Sequence, residues 1–143
     1  MNKNRERYPF VARDVTVGEA SLAPMLPLRL HLGRCEEAVS GLIDTGAAIN
    51  VIPWTIGERL GESWDSATPV KITGNLASAE ARVLVCDALV GNFGLRRLAF
   101  AWSRLNDVPV LPGQVNFLML FDVCLSRSGR WFEIAEPEDP PVG

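Results

Sequence analysis

Among all side chains of this sequence, those of Asp44-Thr45-Gly46 have the types and setting that could do chemistry. Leu42 and Ile43 precede the triplet and Ala47-Ala48-Ile49 follow it. An ionised carboxylate in apolar surroundings is costly unless hydrogen bonds or a proton compensate it. Asp, Thr and Gly are also ordinary turn residues, and such a triplet arises by chance in roughly one chain in forty of this size. Other candidates lose to plainer readings. His31 sits on the non-Leu face of a strand with no Ser or acid arranged around it. One His and three scattered Cys (Cys35, Cys86, Cys124) cannot supply the clustering of a metal site, and none is expected. Trp54, Trp64, Trp102 and Trp131 read as core and interface fillers. Arg96-Arg97, Arg127 and Arg130 read as solvated turn charges. Neither a GxSxG nucleophile motif nor a GxxxxGK[ST] phosphate loop is present.

The elements that must position Asp44 are short strands. Leu26, Leu28, Leu30 and Leu32 alternate with Pro27, Arg29, His31 and Gly33, the period of a half-buried strand. Gly33 to Glu36 reads as a turn and Ala38 to Ile43 as the returning strand, which delivers the chain into Asp44. Ile49 to Ile52 is a short apolar run, and 53–61 reads as a short helix with Pro near its start and Gly past its end. Thr68 to Thr73 and Ala79 to Val90 are strand-like, separated by small residues suited to a mobile hairpin tip. Leu98, Phe100 and Trp102 alternate on another strand, and Val108 to Leu111 is a short apolar strand. Gln114 to Leu120 fits one or two helical turns, and Val123 to Ile134 a hairpin. Turns every 8–12 residues between short strands predict an all-β barrel or sandwich.

The segment Gly41-Leu42-Ile43-Asp44-Thr45-Gly46-Ala47 resembles the active-site signature of aspartic proteases: apolar, apolar, Asp, Thr, Gly, Ala. Val110-Leu111-Pro112-Gly113 resembles their second signature, an apolar strand ending in Gly. In that family the second strand crosses behind the catalytic loop, and its Gly begins a short helix. The order hairpin, Asp-Thr-Gly, flap, apolar-Gly, short helix over roughly residues 25–125 is similar to the retropepsin-like, single-lobe family. The resemblance implies a closed or partly closed acid-protease barrel with a flap hairpin and one or two short helices. It makes Asp44 the catalytic residue, with Thr45, Gly46 and Ala47 supporting its loop. Leu111 and Gly113 support that loop from the second signature, and Gly74, Asn75 and Leu76 form the flap over the substrate. Hydrolysis by this route needs two carboxylates sharing one proton, one as base on a water and the other as acid toward the carbonyl. The sequence holds one such triplet, since Asp65-Ser66-Ala67 lacks the Gly and the apolar strand before it. The resemblance therefore implies a two-fold homodimer acting on a peptide or protein, with no cofactor.

Two positions depart from the retroviral pattern. That pattern often pairs an acid two residues after the signature's Gly with an Arg after the second Gly; Ala48 and Gln114 stand there. Both partners are absent together, which points to a different support involving Asn50 or Asn116. Pro112 replaces an aliphatic residue and removes a backbone donor from the crossing strand.

Composition bounds the alternatives. A chain of 143 residues with 48% apolar and 22% charged residues fits one soluble domain. Net charge −3 offers no electrostatic footprint for nucleic acid. No stretch approaches the ~20 apolar residues of a membrane span, and the start has no apolar run like that of a signal peptide. Three widely spaced Cys argue against a disulfide framework; reduced, mostly buried thiols of a cytoplasmic protein are expected. Residues 1–20 are polar and expected to be disordered in part, 21–135 form the domain, and 136–143 are an acidic, Pro-rich, unstructured tail. A nucleotide-binding loop of the actin type needs two lobes and more chain. A peptide-binding or dimerisation module on the same fold, without catalysis, is the remaining alternative.

Overall fold

The structure is a computed structural model and describes residues 4–71 and 80–137. The expected flap residues Gly74, Asn75 and Leu76 lie outside these, as does 138–143 of the tail. In chain order the strands are β1 (Arg5–Pro9), β2 (Val11–Ala12), β3 (Leu22–Ala23), β4 (Met25–Leu32), β5 (Cys35–Leu42) and β6 (Asn50–Ile52). After helix α1 (Trp54–Arg59) come β7 (Pro69–Val70), β8 (Ala81–Val90) and β9 (Leu95–Ser103). Helix α2 (Phe117–Leu120), β10 (Asp122–Ser126) and β11 (Trp131–Ala135) complete the chain. Among the described residues no helix is long and apolar enough to cross a membrane.

The alternation in β4 works as read: Leu26, Leu28 and Leu30 are buried while Pro27 and Arg29 face out. β4 and β5 pair antiparallel around a two-residue turn in which Gly33 adopts φ +59°, a conformation Gly enters without a Cβ penalty. The main sheet curls in the order β5-β4-β8-β9-β6, with β7 on β8. All its pairings are antiparallel except β6 on β9, which is parallel. Its concave face buries Leu84, Leu98, Phe100 and Trp102 against Phe117, Phe121 and Phe132. Trp102 stacks on Trp54 at 5.0 Å, and its indole N–H donates to the Trp54 carbonyl, which pins α1 to β9.

One segment takes a form its composition did not announce, and one expectation, on the thiols, is corrected. Arg5–Pro9, inside the segment expected to be partly disordered, is a strand on β11 in a three-stranded sheet β1-β11-β10. Its polar composition hid this, because its side chains work along their length: Tyr8 stacks on Phe132 at 5.2 Å and Arg7 covers the Trp131 ring at 3.7 Å. Arg5–Pro9 thus pairs with β11 although it precedes residue 21. Of the three thiols, only Cys86 is buried; Cys35 is partly buried and Cys124 exposed.

Candidate active site

Asp44 sits just past the end of β5. The strand's exit is fixed by the Leu42 N–H donating to Val110 and the Ile43 N–H donating to Pro24, at 2.8 and 2.9 Å. Beyond that point the chain turns, the Ala47 N–H donating to the Asp44 carbonyl. The Gly46 N–H donates to Asp44 Oδ1 at 2.9 Å. A Cβ on Gly46 would stand 3.2 Å from that same oxygen, a tight contact that Gly avoids. Asp44, Thr45 and Gly46 are exposed in the single chain.

The loop is held from behind by residues 110–116. Leu111 exchanges both backbone hydrogen bonds with Val51, each 2.8 Å. The Gln114 and Val115 N–H groups donate to the Ala47 and Ala48 carbonyls at 2.8 and 2.9 Å. Gly113 runs so close to Ile49 that a Cβ would lie 2.3 Å from its carbonyl carbon and oxygen. A strand crossing at that distance has room only for Gly.

Asn50 and Asn116 supply the support in place of an ion pair. Asn50 is 1% exposed. Its Oδ1 accepts from the Gly113 N–H at 2.7 Å, and its Nδ2 donates to the Ala99 carbonyl and to Asn116 Oδ1 at 3.0 and 2.9 Å. Asn116 Oδ1 also accepts from the Ala99 N–H at 2.9 Å. This neutral network joins the crossing strand, β9 and the start of α2 without burying a charge. Asn116 adopts φ +81° and ψ −74°, close to the γ-turn of positive φ, a rare and strained conformation that its hydrogen bonds to Asn50 and Ala99 hold in place. Gln114, at the position of the missing Arg, donates its side-chain amide to the Thr45 carbonyl. Pro112 does no harm, because the hydrogen bonds are made by its neighbours Leu111 and Gly113. Its ring packs where a Cβ on Gly41 would fall 2.9 Å from Cγ.

A cavity of about 690 Å³ opens beside Asp44 and Thr45. Phe10, Leu22 and Ile43 give it apolar walls, and Arg13 and Arg127 line it as well. Sequence reasoning passed over Arg13 and took Arg127 for a solvated turn charge; no local pattern joins residues so far apart. Among the described residues, no group of three or more His, Cys, Asp or Glu is placed to hold a metal ion.

No protein-family model matches the chain, and no curated protein matches it. Among solved structures it is similar to a retropepsin-like aspartic protease from Rickettsia conorii, with a TM-score of 0.61 and 11% sequence identity. The match covers 96% of this chain and 98% of that one. At such an identity the likeness is one of fold: a mostly β body with a curled sheet and two short helices, the retropepsin-like fold.

Proposed function

We propose that the chain is an aspartic endopeptidase that acts as a homodimer. The observation that carries this reading is Asp44 itself. It is a carboxylate on an exposed loop, held by the Gly46 amide and braced by the strand that crosses behind it. One chain offers one such carboxylate. Two copies related by a two-fold axis would bring both Asp44 loops together. One carboxylate then takes a proton from water as the water attacks the peptide carbonyl, and the other, protonated, donates to the carbonyl oxygen. The same pair hands the proton on to the leaving amine. Carboxylates this close cannot both ionise cheaply, so the active form carries one shared proton and the rate falls on both sides of a mildly acidic optimum.

The test is hydrolysis of an unfolded protein and of a peptide library by wild type and Asp44→Asn. The substitution is nearly isosteric and sits on an exposed loop, so the fold should persist while cleavage is lost. Clean Asp44→Asn protein with near-native turnover would refute the mechanism. Sedimentation showing only monomer under the assay conditions would refute the dimer. A wild-type dimer that binds peptides without cutting them would place the chain among binding modules.

A further inference from the structure

The cavity beside Asp44 is built by two segments far apart in sequence. One is the loop 13–21, closed by the Arg13 N–H donating to the Ser21 carbonyl at 3.1 Å. The other is the turn between β10 and β11. Arg130 ties them together: its guanidinium meets Glu19 at 2.7 Å, and its carbonyl accepts from the Phe10 N–H at 2.8 Å. Arg13 and Arg127 line one cavity with Asp44.

Of the twelve arginines, all among the described residues, Arg5, Arg7, Arg29, Arg96, Arg97 and Arg130 each meet a carboxylate. Arg13, Arg34, Arg59, Arg82, Arg104 and Arg127 meet none among the described residues. Asp14 also lines the cavity, but its Oδ1 accepts from both the N–H and the hydroxyl of Thr16, at 2.9 and 2.6 Å. Arg13 and Arg127 share the cavity with the carboxylates of Asp14 and Asp44 but form an ion pair with neither, so both guanidinium groups keep their donors for a ligand. An incoming acid finds fork-shaped donors and an apolar wall for its methylene groups.

We infer that Arg13 and Arg127 make this cavity a subsite for an acidic side chain, Asp or Glu, next to the bond that is cut. The inference rests on the endopeptidase reading and names its substrate class. Peptides cut from a random library should be enriched in Asp or Glu at one fixed position near the scissile bond. Matched Glu and Gln peptides should then differ about tenfold in kcat/KM, the scale of two solvent-exposed charge contacts. The ratio should shrink on raising salt from about 0.05 to 0.5 M. It should approach one in Arg13→Gln/Arg127→Gln, and Arg13→Glu/Arg127→Glu should shift the preference to Lys. Both residues are exposed, so the variants should fold, as circular dichroism will check. Cleavage with no charge preference, or a preference the variants leave unchanged, would overturn the subsite alone. Equal loss on both peptides with dissociation of the dimer would assign the two arginines to assembly and also overturn it. No cleavage of any peptide or unfolded protein by wild type would instead bring down the endopeptidase reading itself, and the subsite with it.

Discussion

Replacing Asn50 by Ala tests whether a neutral network braces the catalytic loop. Asn50 is 1% exposed and makes three hydrogen bonds, at 2.7, 2.9 and 3.0 Å. Without it the Gly113 N–H loses its acceptor in a buried setting, a cost of about 1–3 kcal/mol. The Ala99 carbonyl loses a donor, while Asn116 Oδ1 keeps the Ala99 N–H. Adding roughly 1 kcal/mol for the weakened acceptors and the void puts the loss near 3 kcal/mol. For a domain of this size that lowers the melting temperature by about 10 °C and the urea midpoint by about 1–2 M. Asn92→Ala is the control: its side chain is exposed and its amide reaches Glu6 only at 3.4 Å, so a change under about 0.5 kcal/mol is expected. Parallel urea and thermal melts decide the matter. If Asn50→Ala melts within about 2 °C of wild type, the network is not what holds the crossing strand, and the support must lie in the Gln114 and Val115 backbone contacts.

Two further substitutions and one labelling experiment read other parts of the structure. Gly113→Ala drives a Cβ to 2.3 Å from the Ile49 backbone, so it should cost at least about 3 kcal/mol or prevent soluble expression. Gly18→Ala, whose Cβ would meet nothing within 4 Å despite φ +64°, should cost only about 1 kcal/mol, and chemical denaturation of the two variants will separate these cases. Burial, aided by the charge of Asp87, pushes the Cys86 thiol up to about 12. A raised thiol holds its proton, so near pH 8 Cys86 should resist a maleimide until the protein unfolds, while exposed Cys124 labels at once. Mass spectrometry of labelled peptides checks the order, and rapid Cys86 labelling in the native state would contradict the packing of β8.

Much of the frame around Asp44 was legible because it is local. Period-two alternation places Leu26, Leu28 and Leu30 on one face of a strand whatever follows in the chain, and burial of that face follows. A two-residue turn at Gly33 and the strand after it deliver Asp44-Thr45-Gly46 to a strand end. Gly46 and Gly113 stood out through the two signatures that contain them. The need for Gly at 113 is visible only once Ile49 is known to lie 2.3 Å from the absent Cβ.

What the folded chain alone decided are the contacts between distant segments. Arg5–Pro9 reads as a charged, unpatterned stretch, yet it becomes a strand because Trp131, Phe132 and Glu133 arrive beside it. Asn50 and Asn116 were visible as candidates for a support, but which atoms they join depends on the parallel pairing of β6 with β9 and on the crossing strand. Arg13 and Arg127 share a cavity with Asp44 because β2 pairs with β3 and the Phe10 N–H donates to the Arg130 carbonyl, the second contact joining segments far apart in sequence. Periodicity and turn chemistry are set by backbone geometry over a few residues, so the sequence carries them directly. Hydrogen-bond partners and charge surroundings depend on which remote groups share a low-dielectric space, and only the completed fold brings those groups together.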